Sequence, residues 1–252
     1  MIDLSFVTRL GILLVRPGAL VLAAPPFGGL YTPTPVKIGL SVVLGLAMAP
    51  AVNLPGEVSG AALTVIAARE MAIGVALAFA VRVLLAGAEL GGQLAGFQLG
   101  FGYAAVVDPQ TGARNNLLAS LYSSMTLFTF LATNAHHSLL RALAETYRAM
   151  PIGFGHLDGS LGQSVASLLG LIFVFGTRVA APVVIVLLVV ELAVGLISRA
   201  APSLNLMAIG FPLRLLAGLV ALAGTIGVVP SVVAHLVVPA LELAGRLAFG
   251  FR

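Results

Sequence analysis

The chain has 252 residues, of which 60% are hydrophobic and 9% charged. Soluble domains carry about 25% charged residues, so this composition excludes a water-covered globular domain and points to a membrane-embedded protein. The 13 basic and 9 acidic residues leave a net charge of +4 without any basic run, which excludes a nucleic-acid surface, and the absence of cysteine excludes disulfides and thiolate metal sites.

The first apolar segment runs from about Leu4 to Ala24, long enough for a bilayer core of ~30 Å at ~1.5 Å per residue. It follows Asp3 rather than a basic stretch and ends without a small-residue cleavage site, so it is read as retained rather than as a signal peptide. Arg9 and Arg16 lie seven positions apart on one of its faces. Pro25, Pro26, Phe27, Gly28 and Gly29 stop it, and Pro33 and Pro35 delay the next helix. The second segment, Val36 to Ala49, is short for a span and predicts a re-entrant or protein-buried helix.

The third segment runs from Ala61 to about Leu85 and carries Arg69, Glu70 and Arg82. It passes into a glycine ladder, Gly87 and Gly91 on one face and Gly92, Gly96 and Gly100 on another. Small residues four apart allow a second helix backbone to approach closely. The ladder breaks at Gly100-Phe101-Gly102 and continues irregularly through Asp108-Pro109-Gln110 to Asn116. A packing helix followed by an ordinary loop, or a loop that gates a passage, both fit these residues.

The fourth segment, Leu117 to about Asn134, is followed by the longest polar connection, from His136 through Arg148 to Pro151. The fifth, Leu168 to Ile197, holds Arg178, Pro182 and Glu191, with the proline expected to split it. The sixth covers Ile209 to Val229, and a weaker helix follows Pro230, from Val232 to Phe249. These runs are continuously apolar rather than alternating, which predicts an all-α polytopic fold and not a β-barrel. One domain over 1–252 is expected. Basic residues are shared evenly between alternate loops, so orientation is not fixed by charge.

Charges inside apolar segments cost about 2.5–3.5 kcal/mol each when they face lipid. Arg69, Glu70, Arg82, Arg178 and Glu191 are therefore expected to pair, to face a wet cavity, or to pack against other subunits. With 13 basic residues against 9 acidic ones, internal pairing cannot satisfy every arginine.

The search for catalytic chemistry returns little. There is no nucleophile elbow, zinc-protease helix or P-loop. Gly100-Phe101-Gly102-Tyr103-Ala104-Ala105 spells a dinucleotide-like pattern but follows a helix instead of a strand. His136 and His137 are adjacent and so point about 100° apart on a helix, wrong for joint metal ligation. No enzyme activity, cofactor or metal is expected. A solute transporter would carry inverted repeats with paired broken helices. The breaks near Pro182 and Gly100 lie in sequences that do not resemble each other.

The stretch Gly195 to Leu219, GLISRAAPSLNLMAIGFPLRLLAGL, carries Gly195, Ser198, Arg199, Pro202, Asn205, Gly210, Phe211, Pro212 and Gly218. At these spacings it resembles the FliR family, export-gate membrane proteins of flagellar type III secretion with SctT-type injectisome relatives. Arg9, Pro17, the Pro25–Gly28 break, Pro33-Pro35-Val36-Lys37, Glu70 with Gly74, the glycine run to Gln98 and Gly100, and Asp108-Pro109-Gln110 fall in the family's order. Asn134-Ala135-His136 looks like the family's Asn-Gly-His, with alanine replacing glycine. Pro202 ending one helix and Asn205 capping the next would explain part of the signature on structural grounds alone.

The resemblance implies helical hairpins packed in a hetero-oligomeric export gate of the bacterial inner membrane, within the flagellar basal body. It implies one copy of this chain beside several copies of two smaller membrane proteins, a nearby switch-type component, and unfolded substrate proteins as cargo. It also implies a plug across the pore formed by about Gly100 to Asn116, including Gly100, Phe101, Gly102, Tyr103, Val106, Val107, Asp108, Pro109, Gln110 and Gly112. Gly87, Gly91, Gly92 and Gly96 are then expected to pack the preceding helix. Glu70, Ser198, Arg199, Pro202, Asn205, Gly210, Phe211 and Pro212 are the expected signature or interface residues.

Overall fold

A computed structural model describes residues 4–29, 32–49, 60–101, 117–153, 161–201 and 206–250. Apolar sequence folds here into helices because a helix satisfies its own backbone groups where no water can. Nine are described: α1 (Leu4–Ala23), α2 (Pro25–Gly28), α3 (Thr34–Met48), α4 (Gly60–Leu99), α5 (Leu117–Ala132), α6 (Ala135–Ala149), α7 (Leu161–Ala200), α8 (Leu206–Thr225) and α9 (Val228–Phe249). No strand occurs among the described residues, and α4, α7 and α9 are long and apolar enough to cross a membrane. The fold is all-α and polytopic.

Several boundaries differ from the sequence expectation, each for a physical reason. The third segment and the glycine ladder form one 40-residue helix, α4, about 60 Å long. Glycine costs such a helix little when its bare face meets another backbone. Pro182 does not split the fifth segment, because α7 runs unbroken through it for 40 residues. Membrane helices tolerate an internal proline when neighbours and local adjustments re-satisfy the freed group. Pro230 falls in the first turn of α9, where its missing N–H would be unbonded anyway. Pro25 and Pro26 likewise open a one-turn helix instead of a loop.

The polar connection after the fourth segment is a helix, α6. Leu139, Leu143, Thr146 and Tyr147 are buried, and this i, i+4, i+7, i+8 spacing makes one apolar stripe beneath a charged outer face. Asn134, at φ 56°, occupies the left-handed region between α5 and α6. Asparagine tolerates that conformation better than most residues, so alanine at 135 leaves the turn intact.

The chain divides into two compact units. The first comprises Met1–Val83, Phe130–Gly170 and Val237–Arg252; the second comprises Leu84–Thr129 and Leu171–Leu236. In the first, α1 packs on α3, with Gly45 of α3 against Leu14 and Pro17. Gly74 of α4 lies against the α1 backbone at Arg16 and Leu20, and Arg82 Nε donates to the carbonyl of Ala23 at 2.7 Å. In the second, Ala95, Leu99, Leu118, Val183 and Leu187 form a buried cluster flanked by Ala221 and Leu222.

Candidate functional site

The last turns of α4 are built for close approach. A methyl at Gly87 would lie 2.8 Å from Phe175 Cβ, and one at Gly91 would lie 2.9 Å from the carbonyl oxygen of Gly176. On the adjacent face a methyl at Gly92 would meet the backbone of Ala119 at 2.5 Å. Two glycine faces therefore receive two helices, α7 and α5. Gly96 continues the second face and is buried.

Helix α4 then ends on a defined stop. Gly100 takes φ 90°, Gly100 N–H bonds to Phe97 O at 3.1 Å, and Phe101 N–H bonds to Gly96 O at 2.9 Å. These are the two bonds of a Schellman cap, with glycine at the left-handed position that a Cβ would strain. The chain leaves α4 at a fixed point with Phe101 39% exposed. Gly102, Tyr103, Val106, Val107, Asp108, Pro109, Gln110 and Gly112 lie outside the described residues.

Beside this stop, three helices meet in two layers. The apolar layer holds Leu99 of α4, Leu187 of α7 and Gly218 of α8, whose bare face receives both leucines. One turn along α7 from Leu187 is Glu191, and one turn back along α8 from Gly218 is Arg214. There Arg214 Nη2 bonds Glu191 Oε1 at 2.9 Å, with both side chains 35% exposed. Gln98 Nε2, on the last turn of α4, donates to the same oxygen at 3.3 Å. The pair borders a cleft of about 500 Å³ lined also by Val190, Val194, Gly195, Gly210 and Phe211.

Glu70, expected in the signature set, belongs to the first unit and sits in an internal clasp. Its Oε2 accepts from Arg16 Nε at 2.7 Å and its Oε1 from Arg16 Nη2 at 3.0 Å. Arg16 Nη1 donates to Thr146 Oγ1 at 3.0 Å, and Nη2 donates to the carbonyl of Met150 at 3.1 Å. Tyr147 stacks on the guanidinium at 4.1 Å and donates its hydroxyl to Leu13 O at 2.9 Å. Arg16 and Glu70 are both fully buried. Burial pushes the Tyr147 phenol above its ordinary pKa, with the Arg16 charge pulling the other way, so the hydroxyl stays a donor at neutral pH.

The rest of the expected set falls in the second unit. Ser198 Oγ donates to Gly195 O at 2.6 Å, an i−3 bond within α7, and exposed Arg199 lies in the helix's last turn, where a cation suits the dipole. Gly210, Phe211 and Pro212 lie in α8, with Phe211 59% exposed and Pro212 inside the helix. Pro202 and Asn205 lie outside the described residues. Arg178 is exposed on α7, and no ion pair of it occurs among the described residues. The same residues contain no group of three His, Cys, Asp or Glu side chains placed for a metal.

Sequence reasoning did not pick out Gln98 as a bonding group or Arg214 as the partner of Glu191, nor Thr146 and Tyr147 as partners of Arg16. A lone arginine in an apolar helix is the signal that carried Arg214, because such a charge needs a partner. The pairing itself is set by contacts across distant sequence.

The family model "Bacterial export proteins, family 1" matches residues 7–239. The chain is similar to the flagellar biosynthetic protein FliR of Escherichia coli K12, at 32% identity over 226 residues, covering 88% of this chain and 86% of the relative. The protein of the same name from Pectobacterium carotovorum is 30% identical over 88% of this chain and 85% of the relative. That of Bacillus subtilis 168 is 28% identical over 80% and 79%.

Proposed function

This chain belongs to the FliR family of bacterial export proteins, and on that premise we propose that it forms part of the flagellar protein-export gate and closes it sterically. In this reading the chain is a single copy in a hetero-oligomer of inner-membrane subunits at the basal body. Unfolded proteins pass through the pore, and a switch-type component lies nearby. The segment from Gly100 to Asn116 closes the passage at rest. Its residues Phe101, Tyr103, Val106, Val107, Asp108, Pro109 and Gln110 are the closing element, and Gly100, Gly102 and Gly112 allow it to move aside. Names carried by the relatives above favour a flagellar over an injectisome setting.

The observation that carries the reading is the capped end of α4. A rigid helix, held on two faces through Gly87, Gly91 and Gly92, delivers the chain to one point at Gly100. A plug needs such an anchor, because a loop on a yielding support would not return to its seat. The surface of α7 suits a subunit among subunits: in its most apolar stretch 17% of residues are buried, against 61% for α4. Chains or lipid other than its own must cover that face.

The test is deletion of Phe101–Gln110 in the assembled gate. Raised leakage of small ions with unchanged assembly is expected; leakage equal to the intact gate overturns the plug. Co-purification with unlike membrane subunits separates the gate from a stand-alone transporter, which would behave as a monomer or homodimer.

A further inference from the structure

The polar layer at the end of α4 has a geometry that packing alone does not require. Leu99, Leu187 and Gly218 already hold the three helices together in the apolar layer. One turn further, a carboxylate stands where α4 has just one polar side chain left before its cap. Gln98 and Arg214 converge on a single oxygen, Glu191 Oε1. Gln98 lies two residues before Gly100, so a bond on Gln98 restrains the turn from which the next segment departs. Glu191 is 93 positions away in sequence and has no local reason to be there.

We propose that Glu191 is a positioning residue for the exit point of α4. Arg214 fixes the carboxylate, and the carboxylate fixes Gln98 and with it the capped turn at Gly100 and Phe101. The division of labour follows from the chemistry. Arg214 supplies a charge-assisted bond that orients Glu191. Gln98 supplies a neutral donor at the longer distance of 3.3 Å, and its bond is the easier one to release. When Gln98 lets go, Glu191 keeps Arg214, and no carboxylate is left without a cation. Release of Gln98 thus frees only the last turn of α4, while the helix through Gly92 stays held on both faces and the α7–α8 pair is undisturbed. This function of the layer rests on the plug reading above, whereas its geometric content does not.

The absence of cysteine allows a direct test. A spin label is placed through Phe101→Cys in the assembled complex, and its mobility and the ion leak are measured together. Glu191→Arg, which sets two cations against each other, is expected to raise label mobility several-fold and to raise the leak. Adding Arg214→Glu restores the pair with reversed charge, and Gln98 can then present its carbonyl oxygen by turning its amide. Both readouts are expected to return toward their starting values. Gln98→Glu, which aims a second carboxylate at Glu191, is expected to mobilise the label while leaving subunit co-purification intact.

Unchanged label mobility in Gln98→Glu and in Glu191→Arg overturns the positioning role. Mobility that rises in Glu191→Arg but is not reversed by Arg214→Glu also overturns it, since general damage to α7 would behave that way. Mobility that rises and is reversed, with no change in leak, sustains the positioning role and overturns the plug instead.

Discussion

Among the described residues, Arg16–Glu70 in the first unit and Arg214–Glu191 in the second are arginine–carboxylate pairs built in opposite ways. Arg16 and Glu70 are fully buried and held by two parallel bonds, with Thr146, Met150 O and the Tyr147 ring taking the rest of the guanidinium. Arg214 and Glu191 are about one-third exposed and share one oxygen with Gln98. Desolvating an ion costs several kcal/mol, so a buried pair persists only when nearly every donor and acceptor is met. A pair whose open side meets water is close to neutral in stability, which for Arg214–Glu191 requires that the cleft stay wet in the assembled complex. Enclosure therefore makes the first pair a rivet joining α1, α4 and α6, while access to the cleft leaves the second adjustable. Charge placement in the two units thus differs in enclosure, complete in one and open to a cleft in the other.

The sharpest way to break this contrast is to remove one partner from each pair. Glu70→Ala leaves a buried guanidinium without its counter-charge, and a loss of about 3–5 kcal/mol is expected. In detergent-solubilised complex this would appear as a large fall in unfolding temperature or as failure to accumulate. Replacing both partners, Arg16→Met with Glu70→Leu, is expected to recover most of the loss, because the desolvation cost leaves with the charges. If the single and double variants are equally unstable, the clasp is not acting as a pair.

A second test concerns how the helices approach. Gly92→Ala places a methyl 2.5 Å from the Ala119 backbone, which cannot yield without moving α5. Overpacking of this kind costs about 1–3 kcal/mol. Gly170→Ala on α7 is the control, since a methyl there meets nothing within 4 Å and little or no loss is expected. Protease resistance of the two variants side by side checks the order, and equal losses would mean that α5 is not held through Gly92.

Long apolar runs made most helices legible in the sequence, because a segment that must satisfy its own backbone has few alternatives to a helix. Helix α6 was hidden because its buried residues, Leu139, Leu143 and Tyr147, are diluted by His136, His137, Arg141, Glu145 and Arg148; only their spacing marks it. Pro182 misled because proline is a helix breaker in water, whereas α7 carries it through. At the site, the glycine faces of α4 were readable from the four-residue spacing, and the stop at Gly100 from the Gly-x-Gly break. The pairings were not. Arg16 meets Glu70 54 positions away, and which of several arginines a carboxylate meets depends on how helices cross.

Tyr147→Phe tests a smaller part of the clasp. The ring stays over Arg16, but Leu13 O loses its donor, and about 1 kcal/mol is expected at neutral pH. The pH dependence has a definite sign. The folded phenol is raised above its ordinary value, so the hydroxyl's contribution is fully present below the unfolded value of about 10. Above that pH the unfolded chain ionises first and wild type loses stability, while the phenylalanine variant has nothing to ionise there. The advantage of wild type over Tyr147→Phe should therefore shrink on the alkaline side, and a constant difference would mean that the hydroxyl is not enclosed.

The smallest effect on stability is expected from the second pair. Glu191→Gln removes the charge but leaves a carbonyl oxygen for Gln98 and Arg214, and at one-third exposure the loss should stay below about 1 kcal/mol. Unfolding of the assembled complex in parallel with Glu70→Gln, the same chemical change at the buried site, isolates enclosure as the variable. A loss at Glu191 equal to that at Glu70 would mean that neighbouring subunits seal the cleft and bury the pair. Arg214–Glu191 would then be a second rivet, and the end of α4 would be fixed instead of adjustable. A small loss leaves the carboxylate's value in where it holds Gln98, a property that global stability does not register and that a label at Phe101 does.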